Sequence, residues 1–180
     1  MILETERLIL RPWRESDAAS LYEYAKDPQV GPIAGWPPHQ DIEESLRIIQ
    51  TVFSAPETYA IVLKENGLPI GCIALMMGDA TDMTDRDDEC ELGYWLGVPY
   101  WGRGLVPEAA RTLIRRAFDD CGMVKVWCGY YEGNNRSRRV QEKCGFVFQR
   151  TSRNVNVPLM HETRIAHISY LTKENWMSGK

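Results

Sequence analysis

Apolar and polar positions along this chain repeat with two periods, and the switches between them mark its elements. Arg7 to Trp13 alternates in the manner of a first strand, and Ser16-Asp17 offers a cap for a helix carrying Ala18, Leu21, Tyr22 and Ala25 on one face. Asp27-Pro28 stops that helix, and the following Gly31–Pro38 segment is too rich in Gly and Pro for a regular element. Asp41 with Glu44 forms an acidic variant of the capping box, after which Ile42, Leu46, Ile49 and Phe53 keep one helical face apolar up to an exit at Pro56. Thr58 to Leu63 and Ile70 to Leu75 read as two antiparallel strands joined by an Asn66-Gly67 hairpin turn.

The next stretch, Glu89 to Cys121, organises the rest. Leu92, Tyr94, Trp95 and Leu96 read as a buried strand, Gly102 and Gly104 punctuate a turn, and Val106, Ala109, Ala110, Leu113, Ile114, Ala117 and Phe118 recur at helical spacing. A strand, a glycine turn and a helix N-terminus together point backbone N–H groups and the positive end of a helix dipole at one spot, which suits a phosphate or pyrophosphate. The same glycines also serve a tight turn for backbone reasons alone. Gly102-Arg103-Gly104-Leu105 is not followed by Gly-Lys-Ser/Thr, so this is no Walker loop. The third glycine of a dinucleotide fingerprint is missing as well. Gly122 is placed to end the helix, Val124 to Tyr130 forms another strand, Val140 and Cys144 mark the inner face of a short helix, and Phe146–Thr151 and Thr163–Leu171 read as two closing strands.

The motifs narrow the picture. Trp101-Gly102-Arg103-Gly104-Leu105-Val106 resembles the Gln/Arg-x-x-Gly-x-Gly/Ala turn of the GNAT superfamily of N-acetyltransferases, and Asn134-Asn135-Arg136-Ser137 with Glu142-Lys143-Cys144-Gly145-Phe146 resembles its Asn-x-x-Ser…Glu-Lys-x-Gly-Phe motif. Glu4-Thr5-Glu6-Arg7-Leu8-Ile9-Leu10-Arg11-Pro12 and Glu91-Leu92-Gly93-Tyr94-Trp95-Leu96 are similar to the branch holding the ribosomal-protein-alanine N-acetyltransferases. The resemblance covers nearly the whole chain. It implies an α/β (α+β) fold: a single mixed, mostly antiparallel twisted sheet of about seven strands, about four flanking helices, and a splayed central strand pair.

It also implies direct transfer of an acetyl group from acetyl-CoA to a primary amine. By the motif's register, the N–H of Leu96 would polarise the thioester carbonyl, Gly102, Arg103, Gly104, Leu105 and Val106 would cradle the pyrophosphate, Asn134 would hold the pantetheine arm, and Ser137 would protonate the departing sulfur. Tyr130 and Tyr131 are alternative donors, and Arg138 and Arg139 either meet cofactor phosphates or face solvent. Asn134 and Ser137 equally suit a helix cap. The chain departs from the pattern at Val106, which is larger than usual, and at Pro107, which has no N–H, although proline is tolerated in a first helical turn.

Glu91 aligns with a glutamate common in that branch and is the expected base, against a structural carboxylate paired with an arginine such as Arg11. Glu89 is the reserve. Trp36 either lines the acceptor pocket or plugs the core edge, and His161 is placed to reach the acceptor. The acidic run from Asp79 to Glu91 is read either as a solvated loop or as an attractor for a cationic amine. Acceptors are then a protein or peptide N-terminus, or a small polyamine or amino sugar; a non-catalytic acyl-CoA sensor is the remaining alternative.

Composition fits this picture. A chain of 180 residues with 44% hydrophobic and 26% charged residues suits one domain, 1–180, with a substantial core, and its net charge of −4 argues against general nucleic-acid affinity. Glu4 and Glu6 stand where a signal peptide would be basic and then apolar, so a cytoplasmic location is expected, as a monomer or homodimer. Five cysteines without Cys-x-x-Cys spacing are read as reduced thiols, and no metal is expected.

Overall fold

A computed structural model describes residues 1–179. In chain order the elements are β1 (Leu3–Glu4), β2 (Leu8–Arg11), α1 (Ala18–Ala25), α2 (Gly31–Ala34), α3 (Ile42–Thr51), β3 (Thr58–Leu63), β4 (Pro69–Met76), β5 (Glu89–Leu96), α4 (Leu105–Asp119), β6 (Lys125–Tyr131), α5 (Asn135–Lys143), β7 (Val147–Val157), β8 (Glu162–Thr172) and α6 (Lys173–Ser178). The eight strands form one sheet in the order β1-β2-β3-β4-β5-β6-β8-β7. This is the mixed, mostly antiparallel architecture expected, with one more strand and two more helices. The extra strand is the two-residue β1. The extra helices are α6 and α2, where Pro32 occupies the tolerated first turn and Gly35, at φ 97°, ends it, so the Gly/Pro-rich segment does hold one helical turn.

The chain divides into two compact units, Met1–Ala74 with Tyr94–Ala109 and Leu75–Gly93 with Ala110–Lys180, so that β5 and α4 are shared out between them. In the first, β2 runs antiparallel to β3 from Leu8↔Leu63 to Arg11↔Ala60, and Gly67 at φ 70° turns the chain into β4. Trp13, Leu21, Ala25, Ile49, Ala60, Val62 and Cys72 pack as its core. The α3 helix starts where predicted, with the Asp41 carboxylate accepting from Glu44 N–H at 2.7 Å. Arg11, meanwhile, is held by Asp17 through two guanidinium bonds of 2.6 and 2.9 Å, both residues being buried, and its Nη1 also donates to the Pro12 carbonyl at 3.0 Å.

In the second unit, β6 pairs in parallel with β5 through Glu89↔Lys125, Cys90↔Val126 and Glu91↔Trp127. Leu92 and Gly93 carry β5 onward outside that register, the beginning of the splay that the family resemblance implies. The β7–β8 hairpin is longer than its hydrophobic pattern indicates. Register shifts between Phe148 and Arg150 and between Ser152 and Val155, with Asn154 at φ 57°, let pairing continue where strand periodicity lapses. Leu113, Ile114, Ala117 and Phe118 are completely buried, which accounts for the apolar face of α4 in this unit.

Candidate active site

The glycine turn sits in the first unit. After Leu96 a 3-10 turn (Val98–Tyr100) leads to Trp101, whose indole N–H donates to the Leu96 carbonyl at 2.7 Å and so fixes the end of β5. Gly102 and Gly104 both adopt φ 75°, a left-handed conformation that a side chain disfavours. The space a Cβ would take is open at Gly102, and at Gly104 it meets only the Arg7 guanidinium end, 3.7 Å away. The first N–H groups of α4 have no acceptor within the helix. Val106 and Pro107 are both buried.

Glu108, in the first turn of α4, anchors this region to the N-terminal strands. It accepts from Arg7 N–H at 2.8 Å and Arg7 Nε at 2.7 Å and from the Thr5 hydroxyl, while Arg7 Nη1 donates to the Arg103 carbonyl at 2.9 Å. Burial pushes the Glu108 carboxyl up, but these donors together hold it below its usual range. Arg103 itself extends toward Glu65, at 3.8 Å, and the Tyr100 ring. Trp36 is half-buried in an aromatic cluster: it meets Trp95 edge-on at 5.8 Å and His39 at 5.4 Å, and Trp95 in turn stacks on Trp13.

The titratable groups sit in the second unit. Glu91 is half-buried on β5, and the Thr81 hydroxyl donates to its Oε2 at 2.6 Å. Burial raises its pKa to about 7, against the pull of the Thr81 bond and with a further push from Asp82. Arg11, the arginine that the sequence offers as its partner, is taken by Asp17. Glu89 is different. Buried on the same face of β5, it accepts from the Trp127 indole and from the Thr84 hydroxyl, at 2.8 Å, and pairs with Lys125 at 3.0 Å and Arg86 at 3.3 Å. Burial alone would raise it, yet these donors hold it below the usual carboxylate range, so the reserve base is a poor proton acceptor near neutrality.

Asn134 caps α5 by accepting from Ser137 N–H at 3.2 Å, the cap that its position suggested. The Ser137 hydroxyl accepts a long bond, 3.4 Å, from the Gln141 side-chain amide. Tyr130 lies beside the His167 ring, with centroids 5.0 Å apart. Tyr131, one residue on and therefore on the other face of β6, shares the surroundings of Glu91: burial raises its pKa, Arg164 over its ring opposes that, and Asp82 and Glu91 add to it. Of the two tyrosines, then, Tyr131 joins Glu91. His161 caps a short turn at φ 52° and is exposed, and Arg138 pairs with Glu142 at 2.8 Å.

Sequence reasoning missed Thr81 and Thr84, which pin the acidic segment to the two β5 carboxylates. The only signal was two hydroxyl residues inside a run of acids. Among the described residues no group of His, Cys, Asp and Glu is arranged to hold a metal, and no helix is long and apolar enough to cross a membrane.

Comparison with known proteins identifies the family. The Acetyltransferase (GNAT) domain family matches residues 7–147. The uncharacterized N-acetyltransferase p20 of Bacillus licheniformis is 30% identical over 129 residues, 69% of this chain and 70% of that protein. The solved structure of a GNAT-family acetyltransferase from Bacillus anthracis superposes with a TM-score of 0.83 at 19% identity, covering 97% of this chain and 99% of that one. Ribosomal-protein-S5-alanine acetyltransferase from Vibrio fischeri superposes with a TM-score of 0.75 at 18% identity, covering 98% of each. The chain belongs to the GNAT family and is an N-acetyltransferase.

Proposed function

We propose that this protein is a single N-acetyltransferase domain, 1–180, that uses acetyl-CoA to acetylate a primary amine, with the N-terminus of a protein or peptide as the acceptor class. The carrying observation is Glu91: a half-buried carboxylate bonded by Thr81, with a pKa of about 7, is suited to take a proton from an ammonium group near neutral pH. The peptide class draws on likeness in fold to the Vibrio fischeri enzyme. Asp82, beside Glu91, adds negative potential that attracts a cationic amine of any kind.

The residues present fit acetyl-CoA. Two glycines at φ 75° with open space before them, followed by the fifteen-residue helix α4, form a cradle for a pyrophosphate in which Gly102, Arg103, Gly104, Leu105 and Val106 supply N–H groups. Bound there, acetyl-CoA would supply an activated acetyl thioester, at whose acyl carbon the amine would replace the thiol, the C–N bond being formed for the C–S bond given up. Leu96 N–H serves the carbonyl oxygen, Glu91 takes the proton lost by the amine, Ser137 presents a hydroxyl proton to the sulfur, and Asn134 holds the arm. Trp36 and His161 are proposed to border the acceptor, and Tyr130 is the alternative donor to the sulfur. The protein is proposed to work in the cytoplasm, as a monomer or homodimer.

Calorimetric titration with acetyl-CoA, followed by thiol release against short peptides, spermidine and amino sugars, tests the reading. Binding with turnover on peptides supports it, turnover on a small amine alone replaces the acceptor class, and binding without turnover on any acceptor overturns catalysis.

A further inference from the structure

Two glycines interrupt the strands around the proposed base. Gly93 follows Glu91 by two residues on β5, and Gly129 follows Trp127, the parallel partner of Glu91, by two residues on β6, so both lie on the Glu91 face of the sheet. Neither has a positive φ, so the backbone does not call for glycine there. What they supply is room, kept at the cost of a weakened strand. At Gly31 and Gly97 such room is taken by the rings of Trp36 and Tyr24, and at Gly71 by the Trp95 carbonyl. At Gly93 and Gly129 it is taken by the free ends of methionines: an added Cβ would lie 2.9 Å from Met76 Cε at Gly93, and 2.7 Å from Met83 Cε and 3.3 Å from Ile168 Cδ1 at Gly129. Met83 is also tied to the base. Its N–H donates to Thr81 Oγ1 at 3.1 Å, and that hydroxyl donates to Glu91 Oε2 at 2.6 Å.

We propose that Gly93 and Gly129 floor an acyl slot beside Glu91, that Met76 and Met83 line it, and that the protein transfers propionyl and butyryl groups as well as acetyl. An amine that gives its proton to Glu91 attacks an acyl carbon within bonding reach, so the chain behind that carbon lies among the neighbours of Glu91. Those neighbours are of two kinds. Thr81 and Asp82 suit an ammonium group, whereas the bare faces of two glycines, two thioether ends and Ile168 are apolar and suit an acyl chain. Unbranched thioether side chains repack around a longer chain at little cost. The exchange of bonds is that of acetyl transfer: C–N is formed for C–S, and the ammonium gives up two protons, one to Glu91 and one to the departing thiolate, which leaves as coenzyme A. This inference rests on the reading of Glu91 as the base and of an acyl-CoA as the donor.

Calorimetry without any acceptor reads the slot: acetyl-, propionyl- and butyryl-CoA are titrated against the wild type, Met83→Ala and Met76→Ala. The wild type is expected to bind all three within about threefold of one another. Met83→Ala keeps the backbone N–H that meets Thr81 and enlarges the slot, so the preference for butyryl- over acetyl-CoA should rise by about tenfold, near the value of two further buried methylenes. Met76→Ala should move the same ratio in the same direction, and it gives the answer should Met83→Ala not fold. Thiol release from butyryl-CoA, on an acceptor that acetyl-CoA acylates, is expected within about tenfold of the acetyl rate. Butyryl-CoA that binds the wild type about a hundredfold more weakly than acetyl-CoA, or binds without release, overturns the inference and leaves acetyl transfer intact. An unmoved ratio in the folded methionine variants overturns it likewise. If acetyl-CoA itself neither binds nor releases thiol, the reading of the reaction falls and takes the inference with it.

Discussion

The Thr81 hydroxyl holds Glu91 by a single 2.6 Å hydrogen bond, and this bond joins the acidic segment to the strand that carries the proposed base. Two opposing effects meet at that carboxylate. Burial favours its protonated form, Thr81 favours the ionised one, and the balance falls near pH 7. A base poised there is half-ionised where an enzyme of this kind works.

Removing the threonine hydroxyl should move that balance. In Thr81→Val the group that favours ionisation is gone, so the Glu91 pKa rises and the rising limb of kcat/KM shifts to higher pH. The rate at neutral pH should drop several-fold, on the order of threefold to tenfold, and recover on the alkaline side. A profile with the wild-type midpoint would separate Thr81 from the base.

Stability gives an independent reading of the same carboxylate. Its folded pKa of about 7 lies above the ordinary value of 4.5, so between those values the folded state binds the proton more tightly than the unfolded chain does. Stability therefore declines as pH rises through that window. Glu91→Gln abolishes the decline: it should match wild type below the window and exceed it near pH 8 by on the order of 3 kcal/mol, several degrees in Tm, since each tenfold change in proton affinity is worth about 1.4 kcal/mol. Loss of stability in this variant at pH 8 would mark Glu91 as structural.

Glu89 and Asp17 are buried against cations, so Glu89→Gln and Asp17→Ala leave Lys125 and Arg11 without their counter-charges. For the Asp17 variant, whose partner is itself buried, the expected loss in denaturant unfolding is about 3–5 kcal/mol. Glu89→Gln should lower Tm and retain residual turnover; a stable but inactive Glu89→Gln would exchange the roles proposed for the two glutamates.

The cradle is tested at Gly104. Gly104→Glu places a carboxylate where pyrophosphate is proposed to sit and should raise the Kd for acetyl-CoA by about a hundredfold or more. Gly104→Asn tolerates the left-handed backbone and should bind within about tenfold of wild type, separating charge from backbone strain. Equal affinity in all three proteins would remove the cradle.

What could be read in the sequence was what short-range chemistry controls. Gly102 and Gly104 announce a positive-φ turn, Asp41 and Asn134 announce caps, and Asn66-Gly67 announces a hairpin; each is a local bond or a backbone preference visible within a few residues. The remainder depends on partners chosen by the fold. Arg11 was a candidate for Glu91 by chemistry and is taken by Asp17 by position. Thr81 lies ten residues from the carboxylate it holds, and Glu89 differs from Glu91 only because Trp127, Lys125 and Thr84 converge on it. Helix α2 and the extended β7 follow from turn and bulge geometry at Gly35 and Asn154 that hydrophobic periodicity does not encode.

The most direct test of the account is thiol release from acetyl-CoA with an amine acceptor, followed from about pH 5 to about pH 9 for wild type and Glu91→Gln. With Glu91 as the base, the wild-type rate rises about tenfold per pH unit and levels off above about 7, while Glu91→Gln is slower by about a hundredfold and rises with hydroxide throughout. Equal rates and the same profile in the two proteins would contradict it.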